Sequence, residues 1–438
     1  MPDNEAMTAL TDTSSVTASM LDYHISVHFI QSRNVKGRKK IQTLAEKFAF
    51  FENAGSSLYF DEIEIQFESP LYLNGKFFIV DQVAIPKPNL YEFFSVENPI
   101  LTSYIDSYDS IVLAREVSRP IGLDEYGATI YDTVSEVINI FELEVFPVSE
   151  ESTSKTATLV FPREEDYNNA LTDMALALGD LYQDYRDIPV EWQFDVLIPY
   201  ILEHGVFENM IEPFEFIPPP PPDTLKMKTI LGDSVYVEYV PVDQALCSNG
   251  YAYNYTDFSV PDTLFTGGQR IEGEWLLEQV GATKFAWREE VNLVADASFE
   301  PRREFVDNAS NDSIVRVPFQ LGYQGTYELD FNVDELFPRK YLMVVRTHMY
   351  VGGIYEIYVN DELVMEIDWY DYVLQRELWR SVTGARYKPE GGFNRFDCWV
   401  DNTAPYGKCN VKFVYKEPGR VQSNGLVIDY IDFIHYDD

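Results

Sequence analysis

Between residues 369 and 406 the sequence gathers side chains suited to holding a sugar. Trp369, Tyr370, Tyr372, Trp379, Tyr387, Phe393, Trp399 and Tyr406 occur there among Arg380, Arg386, Asn394, Arg395, Asp401 and Asn402. Aromatic rings stack on the apolar C–H faces of pyranosides, while planar amide, carboxylate and guanidinium groups pair with hydroxyls. Trp379 and Tyr387 fall inside DYVLQRELWRSVTGARYKPEGGFN, which reads as a long loop between two strands; loops beyond about 12–15 residues with no structure of their own tend to be functional. Trp369, Tyr370, Tyr372, Trp379, Tyr387 and Asn402 are the candidate ligand contacts. Core packing competes with that reading for each ring, because aromatics in β-sandwiches fill cores more often than they form platforms. Trp399, in the strand-like FDCWV, reads as core.

Other chemistries find less support. His24, His28, His204, His348 and His435 form no metal-ligand spacing of the HExxH kind, and no nucleophile elbow, phosphate loop or dinucleotide fingerprint occurs. His24 and His28 stand four apart, a spacing that shares one face on a helix, without further ligands nearby. Carboxylate pairs for glycoside hydrolysis stay open as a reading, since 72 acidic residues supply many pairs. The oxygen-rich run Asp307 to Ser313, with Asp307, Asn311 and Asp312, is a candidate calcium loop, with a solvated turn as the alternative. Otherwise no cofactor is expected. A formal charge of −39 repels nucleic acid and anionic membranes. Cys247, Cys398 and Cys409 describe no disulfide framework, although the last two are close enough in sequence to bridge neighbouring strands.

The elements that must position these residues begin with an internal repeat. LNGKFFIVDQVAIP ends at Pro86 and SNGYAYNYTDFSVP at Pro261, so Asn74, Gly75 and Pro86 match Asn249, Gly250 and Pro261. Upstream of each Asn-Gly lies a strand-like Thr-Leu or Thr-Ile segment, and further upstream a histidine, His24 or His204, 50 and 45 residues ahead. Asn-Gly supplies the positive φ angles of a tight hairpin, and the Pro stops pairing at the sheet edge. DYNNALTDMALALGDLYQDY and the segment after Asn89 have apolar residues at helical spacing, and Pro218 to Pro222 reads as a polyproline II spacer.

A helix ending in Tyr-His, a strand, an Asn-Gly hairpin and a closing Val-x-Pro resemble the second half of a fasciclin (FAS1) domain. LDYHI fits that family's Tyr-His box, ILEHGV is a degenerate copy with Glu203 in place of Tyr, and TATLVFPREEDYNNAL is similar to its first strand. The resemblance implies structural roles for His24 and His204. It also implies that the first repeat is N-terminally incomplete: the 43-residue spacing from Phe161 to His204, set before His24, reaches about 19 residues ahead of Met1. Either the sequence is truncated, with a signal peptide and a lipobox Cys expected ahead of Met1, or the first repeat has lost half its fold.

After Gly267 and Gly268 the chain turns to short strands divided by turn signals, the pattern of an all-β sandwich. EIYVNDELVMEI places Asn360-Asp361 at a hairpin turn, and the ending, Asn424-Gly425 followed by VIDYIDFI, resembles the last strand of galactose-binding-like jelly rolls, many of them carbohydrate-binding modules. The expected organisation is a partial FAS1-like repeat at 1–88, a second α+β FAS1-like repeat at 89–266, and a jelly-roll sandwich at 267–438. This order of modules is similar to surface lipoproteins of SusC/SusD-type glycan-utilisation loci in Bacteroidetes. It implies non-catalytic cell adhesion or carbohydrate-binding at the outer membrane, with a polysaccharide and SusC/SusD-like proteins as partners. The alternative is a structural protein–protein interaction subunit; a glycoside hydrolase is a third reading.

Overall fold

The computed structural model describes the chain except for residues 11–15, 114–118, 125, 133–134, 146–147, 150–155, 180, 218–224, 238–242, 349–352, 369–392, 420–424 and 436–438. The expected proline spacer and most of the aromatic loop lie outside the described residues. The chain is mostly β and divides into two compact units, Met1–Ala170 with Phe194–Ser259, and Leu171–Gln193 with Val260–Asp438. Among the described residues no helix is long and apolar enough to cross a membrane.

Among the described residues the first unit holds two larger sheets and three two-stranded ones. Strands Gly37–Gln42, Phe48–Asn53, Leu58–Phe60, Ile63–Glu68 and Phe78–Val80 form an antiparallel meander in chain order. Tyr23, Val35, Ile41, Ala49, Phe51 and Ala84 are buried together on it, so the alternation of Ile41 with Lys40 and Gln42 puts one apolar face inward. The other sheet is mixed, in the order Val206–Glu208, Ala157–Pro162, Gly250–Tyr255, Asp243–Cys247, and its central pair is parallel. Helix Leu90–Glu97 opens with a capping box between Asn89 and Glu92, and the first turn of the helix Glu164–Leu178 carries Glu164, Glu165 and Asp166, matching its positive N-terminal end.

Both Asn-Gly sites close a tight two-residue turn, Tyr72 pairing with Gly75 and Cys247 with Gly250, but without the expected pair of positive φ angles. Only Gly75 has a positive φ, +139°; Gly250 has a glycine for another reason. A Cβ there would lie 2.1 Å from the backbone oxygen of Ala157, so the parallel strands close up only on hydrogen. Asn249 is buried, accepting from the N–H of Leu90 at 2.9 Å and donating to the Val148 carbonyl at 2.7 Å, whereas Asn74 is exposed. Neither Pro86 nor Pro261 ends a strand directly: pairing stops at Val80 and Tyr255, and Pro261 caps a short helix, Asp262–Phe265. His24 bonds through Nδ1 to the Met20 carbonyl at 2.7 Å and accepts the N–H of Ala84 on Nε2 at 3.0 Å; His204 repeats the first contact with Tyr200 at 2.8 Å. The helix ends at Tyr23, so His24 and His28 do not share a helical face.

In the second unit two main sheets enclose one core. One has the order Gln269–Glu272, Tyr430–His435, Lys340–His348, Phe393–Asp401; the other Asn292–Ala295, Tyr327–Val333, Cys409–Glu417, Ile354–Val359, Glu362–Asp368. Alternate residues of both, among them Tyr341, Met343, Val345, Phe396, Leu329, Phe331, Ile357 and Phe413, form a single buried cluster, which makes the unit a β-sandwich. Asn360 and Asp361 have φ of 51° and 64°, the paired left-handed residues of a two-residue hairpin. Leu171–Gln193 joins this unit rather than the repeat expected to contain it: the rings of Tyr182 and Trp192 pack edge-on against Phe337 at 6.2 and 5.5 Å. Cys398 and Cys409 lie on strands of different sheets, and all three cysteines are free thiols.

Candidate functional site

Cross-strand neighbours share a sheet face, and the core already claims Tyr341, Met343, Val345, Phe396 and Val400. The opposite face of the four-stranded sheet is therefore set by Lys340, Leu342, Val344 and Arg346 on one strand, and by Phe393, Arg395, Asp397, Trp399 and Asp401 on its neighbour. Register places Leu342 between Trp399 and Ile434. Trp399 is 48% exposed and Ile434 40%, so a flat apolar row crosses three strands at this end of the face. Lys340 sets its ammonium 5.2 Å from the Trp399 ring centroid, and Asp401 stands opposite Lys340. An exposed indole flanked by a cation and a carboxylate offers a stacking face and hydroxyl partners together.

Toward the other end the same face is filled by its own side chains. Arg270 grips Asp432 with two bonds of 2.6 and 2.7 Å and lies 4.0 Å over Tyr430. Arg346 lies 4.2 Å over Phe393 and 5.6 Å over Tyr430. The guanidinium planes thus occupy the aromatic faces there, whereas at the other end the Trp399 ring is half exposed. Phe393 follows directly on the stretch 369–392.

Around Arg346 lies a largely buried polar cluster. Arg346 pairs with Asp429 and donates to the Asn308 carbonyl at 2.8 Å, Ser310 donates its N–H to Asp429 at 2.9 Å and its hydroxyl to Glu272 at 2.7 Å, and Ser313 donates to Glu274 at 2.7 Å. Burial pushes the Asp429 carboxyl up to about 6 against the pull of Arg346, and raises Glu272 as well. The run Asp307 to Ser313 is thus tied down by carboxylates from distant parts of the chain, while the side chains of Asp307, Asn311 and Asp312 are exposed. Among the described residues no three His, Cys, Asp or Glu side chains are grouped to hold a metal ion.

Of the candidate ligand contacts, Trp369, Tyr370, Tyr372, Trp379 and Tyr387 lie outside the described residues. Asn402 is not at a surface: it is 1% exposed, accepts from Asn360 at 2.8 Å and donates to the Phe337 carbonyl at 2.8 Å, so its amide joins loops instead of facing a ligand. Tyr406 packs on Phe337 at 4.6 Å. Trp399, expected in the core, is on the open face. The signal was in its spacing: Asp397, Trp399 and Asp401 share one parity, Phe396, Cys398 and Val400 the other.

No family model matches the chain, and no curated protein matches it. Solved structures do. The chain is similar to a Podospora anserina GH26-CBM35 β-(1,4)-mannanase (12% identity, TM-score 0.23, 40% of this chain and 28% of that one). It is also similar to a family 35 carbohydrate binding module from Clostridium thermocellum (12% identity, TM-score 0.23, 39% and 99%) and to the K1 cleaved adhesin domain of Lys-gingipain from Porphyromonas gingivalis (12% identity, TM-score 0.24, 39% and 99%). TM-scores this low leave the fold to be argued from the chain's own sheets.

Proposed function

We propose that the sandwich is a carbohydrate-binding module of jelly-roll type, which captures a polysaccharide without turning it over. The open Trp399 face carries this reading. Its indole, the Leu342–Ile434 row and the Lys340 and Asp401 charges supply the stacking surface and polar rim that a sugar chain needs. Affinity electrophoresis of the intact chain through gels of soluble glucans, mannans, xylans and galactans tests it: retardation by at least one polymer, with no reducing sugar released, is expected. Free migration through all of them refutes glycan capture, and release of sugar refutes the non-catalytic reading. No cofactor belongs to this reading. A calcium site at Asp307 to Ser313 would need the inward carboxylates that Ser310, Ser313 and Arg346 occupy, so EDTA should leave retardation unchanged; loss on chelation would reverse that assignment.

In the same reading the first unit is built from fasciclin-like modules, and the whole is a cell-surface adhesion and glycan-capture lipoprotein of the outer membrane that works with SusC/SusD-type importers. What supports this is the order of strand, helix and hairpin around His204, Asn249 and Pro261, and the sandwich that follows. Co-purification of a tagged chain with SusC- and SusD-like proteins from solubilised outer membranes is the expected outcome; recovery in the soluble fraction alone refutes the placement.

A further inference from the structure

In the second repeated stretch an acid takes the place of the box tyrosine. Tyr23 and Glu203 each stand one residue ahead of a histidine, His24 or His204, whose Nδ1 meets the carbonyl four residues back. Tyr23 is fully buried and donates its hydroxyl to Asp61. Glu203 is instead half-buried and lines a cavity of about 270 Å³ within the first unit. Three helices and a turn bound this cavity: Pro99–Asp106 with Tyr108 just beyond its end, Ile140–Glu144, Ile198–Gly205, and Leu231 between the strands Leu225–Lys228 and Ser234–Val237.

One wall of the cavity is aromatic. The rings of Tyr104 and Tyr108 lie 5.1 Å apart with their planes inclined by 64°, and Phe141 stands 6.2 Å from Tyr108 at 54°. Tyr108 is 39% exposed, and its hydroxyl is 2.7 Å from that of Tyr104. The rest of the lining is aliphatic except for two carboxylates, Glu144 and Glu203. Each lies in the last turn of its helix, at the negative end of the macrodipole, where an anion is unfavourable and a cation is favoured. Among the described residues neither carboxylate has a hydrogen-bond or ion-pair partner, and no basic side chain lines the cavity. His204, next to Glu203, turns its Nδ1 to the Tyr200 carbonyl. Two negative charges and two helix C-termini thus surround aromatic rings without a compensating charge among the described residues.

We infer that this cavity binds a small organic ammonium cation of the choline kind, whose positive charge is spread over methyl groups. Aromatic rings attract such a cation through their quadrupoles, and the two carboxylates add an attraction that an uncharged molecule of the same shape does not feel. The chain's formal charge of −39 raises the local concentration of any cation. A bare metal ion is a poorer fit: among the described residues no three His, Cys, Asp or Glu side chains are grouped to hold one, and a hard cation would exchange its water for rings and aliphatic carbon. A primary ammonium brings N–H donors that each need an acceptor, whereas the two tyrosine oxygens already engage each other. A zwitterion such as phosphocholine would set its phosphate beside the same carboxylates and be repelled.

Isothermal titration calorimetry of the full chain with choline at low ionic strength tests the assignment. The expected result is saturable binding at millimolar concentration or below, with dimethylbutanol, the uncharged carbon isostere of choline, and phosphocholine each bound about tenfold more weakly. Glu203→Gln removes one unit charge and should weaken choline about fivefold. Tyr108→Leu should weaken it by a similar factor, and Tyr108→Phe, which keeps the ring, should not. Should Tyr108→Leu fail to fold, Glu203→Gln and the comparison of choline with dimethylbutanol on the unsubstituted chain decide. Equal binding of dimethylbutanol overturns the role of charge, and equal binding of phosphocholine overturns the assignment to a free cation. The same heat from sodium chloride at the same concentration, or a choline Kd unchanged in Glu203→Gln, overturns the site.

Discussion

Replacing Trp399 by alanine separates what the indole does for a ligand from what it does for the fold. A Trp side chain presents up to about 250 Å², so 48% exposure leaves about 120 Å² available to a sugar. At about 25 cal/mol per Å² the ceiling for covering all of it is about 3 kcal/mol. A pyranose covers one face of the ring, about half of that area, which gives about 1.5 kcal/mol and a roughly tenfold weaker Kd in Trp399→Ala. The remaining side-chain area already lies against the sheet, so the same substitution also lowers stability, by up to about 3 kcal/mol. Trp399→Phe retains a stacking face and should weaken binding only a few-fold. The assay is affinity electrophoresis against the best-retained polysaccharide at a temperature well below both variants' melting points, with Tm measured in parallel. A Kd unchanged within twofold in a folded Trp399→Ala protein would refute the platform, since no other indole on that face is among the described residues.

Asn402→Ala should do the reverse. Its amide is buried and holds the Asn360 side chain and the Phe337 carbonyl, so about 2–3 kcal/mol of stability is lost in denaturant titration while the glycan Kd stays put. Gly250→Ala drives a methyl to within 2.1 Å of the Ala157 oxygen, which is backbone and cannot step aside alone; the parallel pair must part, at a cost of about 1–3 kcal/mol read from the first unit's denaturant midpoint.

What could be read from residues alone was local. Asn360-Asp361 announced its turn because the left-handed conformations that a two-residue hairpin needs are tolerated by those two residue types. The same argument overreached at Asn249-Gly250, where the asparagine caps a distant helix start at Leu90 and the glycine admits a neighbouring strand; neither partner is near in sequence. The contacts of Leu171–Gln193 are distant for a related reason: the rings of Tyr182 and Trp192 meet Phe337 and the Tyr182 hydroxyl accepts the N–H of Tyr406, which no local periodicity names. At the site, parity along the strand, which hydrophobicity does not reveal, turns Trp399 outward, and Asn402 is buried because its amide finds partners in Asn360 and Phe337. A residue type alone does not fix a position.

The two units should answer acid in opposite senses, and two single substitutions can show it. His24 holds a defined neutral tautomer, because Nδ1–H donates to Met20 while Nε2 accepts from Ala84, and burial lowers its pKa below the usual 6.5. The unfolded chain therefore takes the proton first as pH falls through 6.5, and the first unit loses stability. Asp429 is the converse: its folded pKa is raised from 3.8 to about 6, so below about pH 6 the folded state takes a proton that the unfolded state does not, and the sandwich gains. Between pH 7 and 5.5 the gain is about 1 kcal/mol. Asp61 in the first unit, raised by burial, and His348 in the second, lowered by it, oppose these trends, so each contribution is the difference between the chain and its variant, His24→Gln or Asp429→Asn. All 6 tryptophans fall in the second unit, so their fluorescence follows the sandwich while calorimetry follows both transitions. Relative to its variant, the first transition should fall with acid and the second should rise. Slopes of one sign would mean that Arg346, rather than burial, governs the Asp429 carboxyl.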